Sequence, residues 1–122
     1  MGMLHNYFND LELREEYQDK GYYKKSYILK CHDENNEQNY IDFSIYYSHC
    51  VYTIYVQGLK IEKIENGSVT SFTSAKNLVF RMVETTCRLS KKQIAHAEEF
   101  IKLNIYGILK TYCDVNKNIY ID

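Results

Sequence analysis

The stretch YIDFSIYY, residues 40–47, decides how the rest of the chain is interpreted. Its odd-numbered positions, from Ile41 to Tyr47, are all aliphatic or aromatic, whereas its even-numbered positions include Asp42 and Ser44. Side chains point alternately to the two sides of a β-strand, so a period of two indicates a strand with one buried face. We therefore predict a strand here whose odd-numbered side chains lie in the core.

The segments around this strand show the same period. Alternating strands are predicted over residues 22–31 and 51–57. The dipeptide Asn66-Gly67 fits a hairpin turn whose central residues need positive φ, and we expect it to join residues 59–64 to residues 69–72. Together these segments predict an antiparallel sheet of four to five strands.

The N-terminal segment shows a helical pattern instead. Leu4, Phe8 and Leu11 follow one another at steps of four and three, and acidic residues recur from Asp10 onward, as is typical of an amphipathic helix. Gly21 has the position that a glycine commonly takes after a helix C-terminus. We predict an N-terminal helix that ends before Gly21.

Two further helices are predicted near the C-terminus. Ser74 begins the first, and an apolar stripe that includes Leu78 and Met82 follows it. The second begins with a capping box and a hydrophobic staple formed by Leu89, Ser90, Gln93 and Ile94. Its apolar residues continue at steps of three and four to Tyr112. The tail, residues 114–122, is predicted either as an edge strand or as a frayed end.

This order of elements predicts a single α+β domain over residues 1–122. It consists of an N-terminal helix, an antiparallel sheet of four to five strands, and two C-terminal helices packed on one face of the sheet. A length of 122 residues fits one domain. With 45% apolar and 25% charged residues, the composition is typical of a folded chain rather than a disordered one.

Charge and cysteine usage indicate a cytoplasmic protein. Fifteen basic against sixteen acidic residues give a net charge of -1, which selects neither nucleic acid nor an anionic membrane. No apolar run approaches the ~20 residues of a membrane-spanning helix. The four cysteines form no C-x-x-C pair, and no apolar leader precedes the first predicted strand, so we expect reduced thiols. The alternative is a secreted domain with two disulfides. The abundance of Asn, Ile, Lys and Tyr is typical of AT-rich genes and suggests a bacterial or phage origin.

Candidate metal ligands lie in two pairs, Cys31-His32 and His49-Cys50, which are the residue types of a tetrahedral zinc site. In a three-stranded meander, the first pair ends one strand and the second pair begins another, at opposite ends of the sheet. A strand of seven residues is about 23 Å long, whereas zinc ligands lie within ~2.3 Å of one metal ion. We therefore expect no metal site here.

Catalytic patterns are weak elsewhere too. Cys87 and Cys113 end predicted helices, where the helix dipole disfavours a thiolate, and His96 lies among charged residues typical of a solvated face. The five glycines do not cluster into a phosphate-binding loop. We expect no cofactor and no catalytic residue. The alternative is a small enzyme with a nucleophile at Cys50 or Cys31 beside a histidine.

Tyrosine is the most over-represented residue, with thirteen in the chain and eight of them between positions 22 and 55. The eight occupy both faces of the predicted strands, so only one set lies in the core. The outward set comprises Tyr22, Tyr40, Tyr46 and Tyr55. Exposed tyrosines are enriched at interfaces, so we expect them to bind another protein, or a second copy in a homodimer through the sheet. The expected function is that of a small non-enzymatic regulator or inhibitor, such as a phage or mobile-element protein that blocks a host enzyme.

A cluster of cations supplies an alternative partner, nucleic acid. Arg81, Arg88, Lys91 and Lys92 lie in or between the two predicted C-terminal helices, with Glu84 among them. A basic helix pair beside aromatic strands binds RNA through phosphate contacts and stacking.

Residues 52–101 carry an ordered pattern of elements. It consists of a strand from Tyr52 to Val56, a helix begun by Ser74, and Leu89-Ser90 followed by Ile94 and Glu99. In this order the chain resembles a family of small clostridial proteins of unknown function. His96 and Ala97 depart from that family's pattern, in which acidic residues are denser in the last helix. The resemblance implies no activity.

Overall fold

A computed structural model describes residues 7–48, 51–63, 68–71, 76–83 and 91–121 of the chain. Within these ranges it contains a short 3-10 turn at Tyr7–Asp10, seven strands and one long helix. The strands are β1 (Glu12–Asp19), β2 (Tyr22–Asp33), β3 (Gln38–Ser48), β4 (Val51–Lys63), β5 (Ser68–Ser71), β6 (Leu78–Val83) and β7 (Ile119–Ile121). The helix is α1 (Lys91–Val115).

All described strands belong to one antiparallel sheet with the order β1-β2-β3-β4-β5. The long strands β2 and β4 each pair with two short strands on their outer side. β4 pairs with β6 along Val51–Val56 and with β5 from Leu59 onward. β2 pairs with β1 over its first half and with β7 at Cys31–Asp33.

The core lies between one face of this sheet and α1. The buried sheet residues are Tyr23, Leu29, Cys31, Ile41, Phe43, Ile45, Tyr47, Tyr52, Ile54 and Val56. The buried helix residues are Ala97, Ile101, Ile105, Ile108, Leu109 and Tyr112. The predicted inward face of residues 40–47 is confirmed, because its odd-numbered side chains are all buried.

The predicted N-terminal helix is wrong. Residues 7–10 form a single 3-10 turn whose Tyr7 and Phe8 pack against the core, and the chain then enters β1. Gly21 does take the left-handed conformation, with φ 69°, but in the turn between β1 and β2. β1 is exposed at seven of its eight positions, so its charged sequence carries no apolar alternation that would mark a strand.

The predicted fold with two C-terminal helices is also wrong. Residues 78–83, expected in the first of these helices, form β6, which pairs with β4. Leu78 and Phe80 face the core while Val79 is exposed, so a period of two fits this apolar run as well as the helical period does. The predicted helix start at Ser74 lies outside the described residues.

The last helix and the tail agree with the sequence pattern. α1 begins at Lys91, directly after the predicted N-cap, although the capping residues Leu89 and Ser90 lie outside the described ranges. The tail forms β7 rather than a frayed end. No helix in the described ranges combines the length and the apolar character needed to cross a membrane.

Candidate functional site

The sheet face opposite α1 carries the outward tyrosines. In adjacent strands, Lys24 pairs with Tyr46 and Tyr46 with Thr53, while Ser26 pairs with Ser44 and Ser44 with Tyr55. All these side chains alternate with core residues and therefore lie on the outward face. Among the described elements, α1 and the 3-10 turn pack on the other side of the sheet.

Four tyrosine rings on this face form a continuous series, which we call the tyrosine face: Tyr17, Tyr22, Tyr46 and Tyr55. Neighbouring ring centroids lie 6.0 Å apart for Tyr17 and Tyr22, 6.4 Å for Tyr22 and Tyr46, and 5.2 Å for Tyr46 and Tyr55. The last pair meets edge to face, which is a favourable arrangement for two rings. Tyr17 is 52% exposed, and the other three are half-buried.

Lys24 contacts both the Tyr46 ring of the tyrosine face and Glu15 of β1. Its Nζ lies 5.4 Å from the centre of the Tyr46 ring and forms an ion pair with Glu15. Burial alone lowers the pKa of Lys24, but the hydrogen bond to Glu15 raises it overall. The same hydrogen bond lowers the pKa of Glu15. Both groups therefore stay charged at neutral pH.

Three of the predicted partner-binding residues, Tyr22, Tyr46 and Tyr55, meet in the tyrosine face, and the fourth does not. Tyr40 lies on the same side of the sheet, but six residues from Tyr46 along β3, which is about 20 Å. Its hydroxyl accepts a hydrogen bond from Gln38 at 3.4 Å. Tyr17 was missed, because it lies in the segment predicted as a helix.

A row of buried polar side chains crosses the same face. The Oγ atoms of Ser26 and Ser44 lie 2.9 Å apart, and Ser44 donates a hydrogen bond to Oδ1 of Asp42. Asp42 has no exposed surface, and its Oδ2 accepts no hydrogen bond from the described residues. A cation lies nearby: Nη1 of Arg14 is 3.8 Å from Oδ2.

Burial raises the pKa of Asp42, and the hydrogen bond from Ser44 and the nearby Arg14 oppose this shift only in part. A carboxylate that is buried and incompletely compensated is more frequent at functional sites than elsewhere in a protein. Sequence reasoning missed Asp42, because its even-numbered position predicts an outward side chain and says nothing about the neighbours that cover it.

A shallow cleft of about 390 Å³ opens beside this row, lined by Tyr46, Thr53, Tyr55, Gln57 and Asn77. Gln57 is the register partner of Asp42 on β4, so the floor of the cleft lies next to the buried carboxylate.

The two borders of the outward face differ in charge. On one side, β1 has the sequence ELREEYQD, with four acidic residues and one arginine. On the other side, Arg81 of β6 is exposed opposite Thr53.

The cysteine and histidine candidates do not come together in the described ranges. Cys31 is fully buried on the α1 side, and burial raises the pKa of Cys113, so its thiol stays protonated at neutral pH. His32 stacks on Tyr120 at 5.5 Å, and His96 is exposed on α1. Within those ranges, no three His, Cys, Asp or Glu residues are placed to hold a metal ion. Cys50, His49 and Cys87 lie outside them.

The residues of the nucleic-acid alternative are divided between two elements. Arg81 lies on β6, so the predicted pair of basic helices is wrong at this position. Lys91 and Lys92 begin α1, and Arg88 lies outside the described residues.

The fold and the outward face define an α+β chain with an antiparallel sheet and a cluster of tyrosines. Comparisons with protein-family models, with curated proteins and with solved structures find no match. Function is therefore inferred from the chemistry of this face.

Proposed function

We propose that the chain is a non-enzymatic regulator or inhibitor that binds a partner protein through the tyrosine face, and that the contacting segment of the partner is basic. The observation that carries this proposal is the series of four partly exposed rings, on which no described element packs.

Tyrosine suits this role because its ring supplies a large apolar contact and its hydroxyl a hydrogen bond, with few rotatable bonds to order on binding. The rings of the tyrosine face already pack against one another, and Lys24 packs over Tyr46. They are therefore ordered before a partner arrives, which lowers the entropic cost of binding.

Charge supports a basic partner. On the outward side of β1, three carboxylates, those of Glu12, Glu15 and Asp19, flank Tyr17, whereas Glu16 lies on the α1 side. Opposite charges across an interface speed association and reject wrong partners. Lys24 over Tyr46 illustrates how this face holds a cation on an aromatic ring. An arginine or lysine of the partner packs on the accessible part of a ring of the tyrosine face in the same way. The acidic border repels the phosphates of a nucleic acid, which makes RNA or DNA the weaker candidate.

The test is capture by the tagged chain from nuclease-treated cytosol, with three variants compared to wild type. Tyr17→Ala/Tyr22→Ala removes two rings of the tyrosine face. Glu12→Lys/Asp19→Asn changes the charge of exposed positions on the outward side of β1 and keeps an oxygen at position 19. Tyr120→Ala removes a 48%-exposed tyrosine outside the tyrosine face and serves as the matched control.

We expect one stoichiometric protein with wild type and with Tyr120→Ala, and at least about tenfold weaker capture by both other variants, because ring anchors and charge complementarity carry binding. Thermal unfolding checks that each variant is folded. The proposal is wrong if all four chains capture the same protein equally. Loss of the captured material on nuclease treatment supports the nucleic-acid alternative instead.

A further inference from the structure

The outward side of α1 carries a second exposed pattern, which we call the helix stripe: Glu99, Leu103, Tyr106 and Lys110. These residues follow one another at steps of four, three and four, so they lie along one side of the helix. Leu103 is 73% exposed and Tyr106 59% exposed. The buried residues of α1, such as Ile101 and Ile105, lie on the opposite side.

Two copies of the helix stripe are complementary to each other when they run antiparallel. The helix stripe begins with an acidic residue, continues with a leucine and a tyrosine, and ends with a basic residue. The steps of four, three and four are the same in either direction. When two copies of α1 pack antiparallel about a twofold axis, Glu99 of one copy lies opposite Lys110 of the other. Leu103 then lies opposite Tyr106, and symmetry repeats both contacts.

Gly107 provides an independent observation on the same side of the helix. Glycine inside a helix costs about 1 kcal/mol relative to alanine. A Cβ added to Gly107 would meet no atom within 4 Å, so packing within the described chain does not require a glycine there. Gly107 lies one turn from Leu103, where the absence of a side chain lets the backbone of a second helix approach closely.

A cleft of about 370 Å³ opens beside Gly107, between α1 and β6. Its walls include Phe80, Phe100 and Ile108, so it is largely apolar. In the antiparallel arrangement, Tyr106 of the second copy faces Leu103 and Gly107 and reaches toward this cleft. Gly107 and the cleft thus provide space for the exposed Tyr106 ring of the second copy.

We propose that the chain forms a symmetric dimer in which the helix stripes of two copies pack antiparallel. This interface differs from a homodimer through the sheet and does not involve the tyrosine face. The two tyrosine faces of the dimer lie on the sides of the sheets away from α1 and stay accessible to partners.

Charge reversal tests this geometry directly, with sedimentation equilibrium as the measurement. Glu99→Lys and Lys110→Glu each place like charges opposite one another twice per dimer, so we expect each to weaken self-association at least about tenfold. An equimolar mixture of the two variants restores both opposite-charge contacts and therefore forms a heterodimer. The double variant Glu99→Lys/Lys110→Glu restores the homodimer.

Lys117→Glu is the matched control, because Lys117 is exposed and lies beyond the C-terminal end of α1, away from the helix stripe. We expect it to dimerise like wild type, and circular dichroism confirms that all variants are folded. A wild-type chain that stays monomeric at every concentration overturns the proposal. Self-association that is insensitive to both single reversals, or that the mixture does not restore, also overturns it.

Discussion

Asp42 is buried, although its position in an alternating strand predicts an outward and exposed side chain. The alternation over residues 40–47 correctly orients it away from the core, together with Tyr40 and Tyr46. Orientation follows from a local period, whereas burial depends on side chains from other strands. Arg14 and Gln57, which flank Asp42, lie on β1 and β4. The direction of the outward tyrosines was therefore predictable, and the buried polar row was not.

Burial of Asp42 predicts how stability varies with pH. Its folded-state pKa lies above the unfolded value, so the folded state holds the proton more tightly. Its contribution to stability is therefore greatest at acidic pH and falls as the pH rises from the unfolded pKa to the folded pKa. Asp42→Asn lacks this titration and keeps an oxygen to accept the hydrogen bond from Ser44.

We expect Asp42→Asn to gain stability relative to wild type as the pH rises through this window, and to be at least as stable at neutral pH. Urea unfolding at a series of pH values measures the difference, with Glu34→Gln as the exposed control. A difference that is constant with pH, or that favours wild type at neutral pH, contradicts the assigned environment of Asp42.

At the scale of elements, a polar cluster fastens α1 to β2. Lys25 and Tyr27 both bind Oε1 of Glu98, the tyrosine hydroxyl at 2.9 Å. Burial lowers the pKa of Lys25 on its own, but the hydrogen bonds to Glu98 and Tyr27 raise it overall. The ammonium and the carboxylate are both mostly buried, so loss of either charge leaves its partner poorly compensated.

Glu98→Gln removes the charge and keeps the shape of the side chain. We expect it to lower the free energy of unfolding by about 1–3 kcal/mol, because part-buried Lys25 loses its counter-charge. Chemical denaturation at neutral pH measures this effect. If Glu98→Gln is no less stable than Glu34→Gln, the cluster does not hold the helix to the sheet.

Asn116 provides a second connection, between the end of α1 and the segment before β6. Its Oδ1 accepts a hydrogen bond from the backbone N–H of Lys76 at 2.6 Å, and its Nδ2 donates to the Lys76 carbonyl at 3.0 Å. Nδ2 also donates to the carbonyl of Tyr112 at 3.1 Å. We expect Asn116→Ala to cost about 1–3 kcal/mol, because it leaves the backbone N–H and carbonyl of Lys76 without their partner, whereas the Tyr112 carbonyl keeps the backbone N–H of residue 116. Asn118→Ala, an exposed control, is expected to change stability by less than about 0.5 kcal/mol in the same urea titration.

The elements that the sequence reveals are those with one buried face. β3 and the first part of β4 alternate between core and outward side chains, and α1 repeats its apolar residues at three and four. In β2 the alternation is interrupted, because Lys25 takes a core-side position and the outward Ser26 is buried. β1 is exposed on both faces, and its charges mimic the polar side of a helix. β6 is short and apolar, so only its pairing with β4 distinguishes a strand from a helical turn. Pairing between distant segments is not encoded in a local period, which explains why both elements were predicted as helices.

At the scale of the whole molecule, the two proposed interfaces lie on opposite sides. The helix stripe is on the outer side of α1, and the tyrosine face is on the side of the sheet away from α1. We expect the Glu99→Lys chain to bind partner with the affinity of a single site, since its tyrosine face is unchanged. On a surface that carries several partner molecules, wild type should dissociate more slowly because two faces engage at once. Equal dissociation rates in surface plasmon resonance would show that the dimer adds no second contact.

The most direct measurement is site-specific photo-crosslinking from the tyrosine face. Benzoylphenylalanine replaces Tyr22, Tyr55 or Tyr120 in separate chains, each is irradiated in nuclease-treated cytosol, and mass spectrometry identifies the crosslinked peptide. If the tyrosine face binds a protein, Tyr22→benzoylphenylalanine and Tyr55→benzoylphenylalanine crosslink to the same protein, at a peptide with more Lys and Arg than Asp and Glu. The Tyr120 position does not crosslink to it. Equal crosslinking from the Tyr120 position, or an acidic contacting peptide, contradicts the assignment of this face.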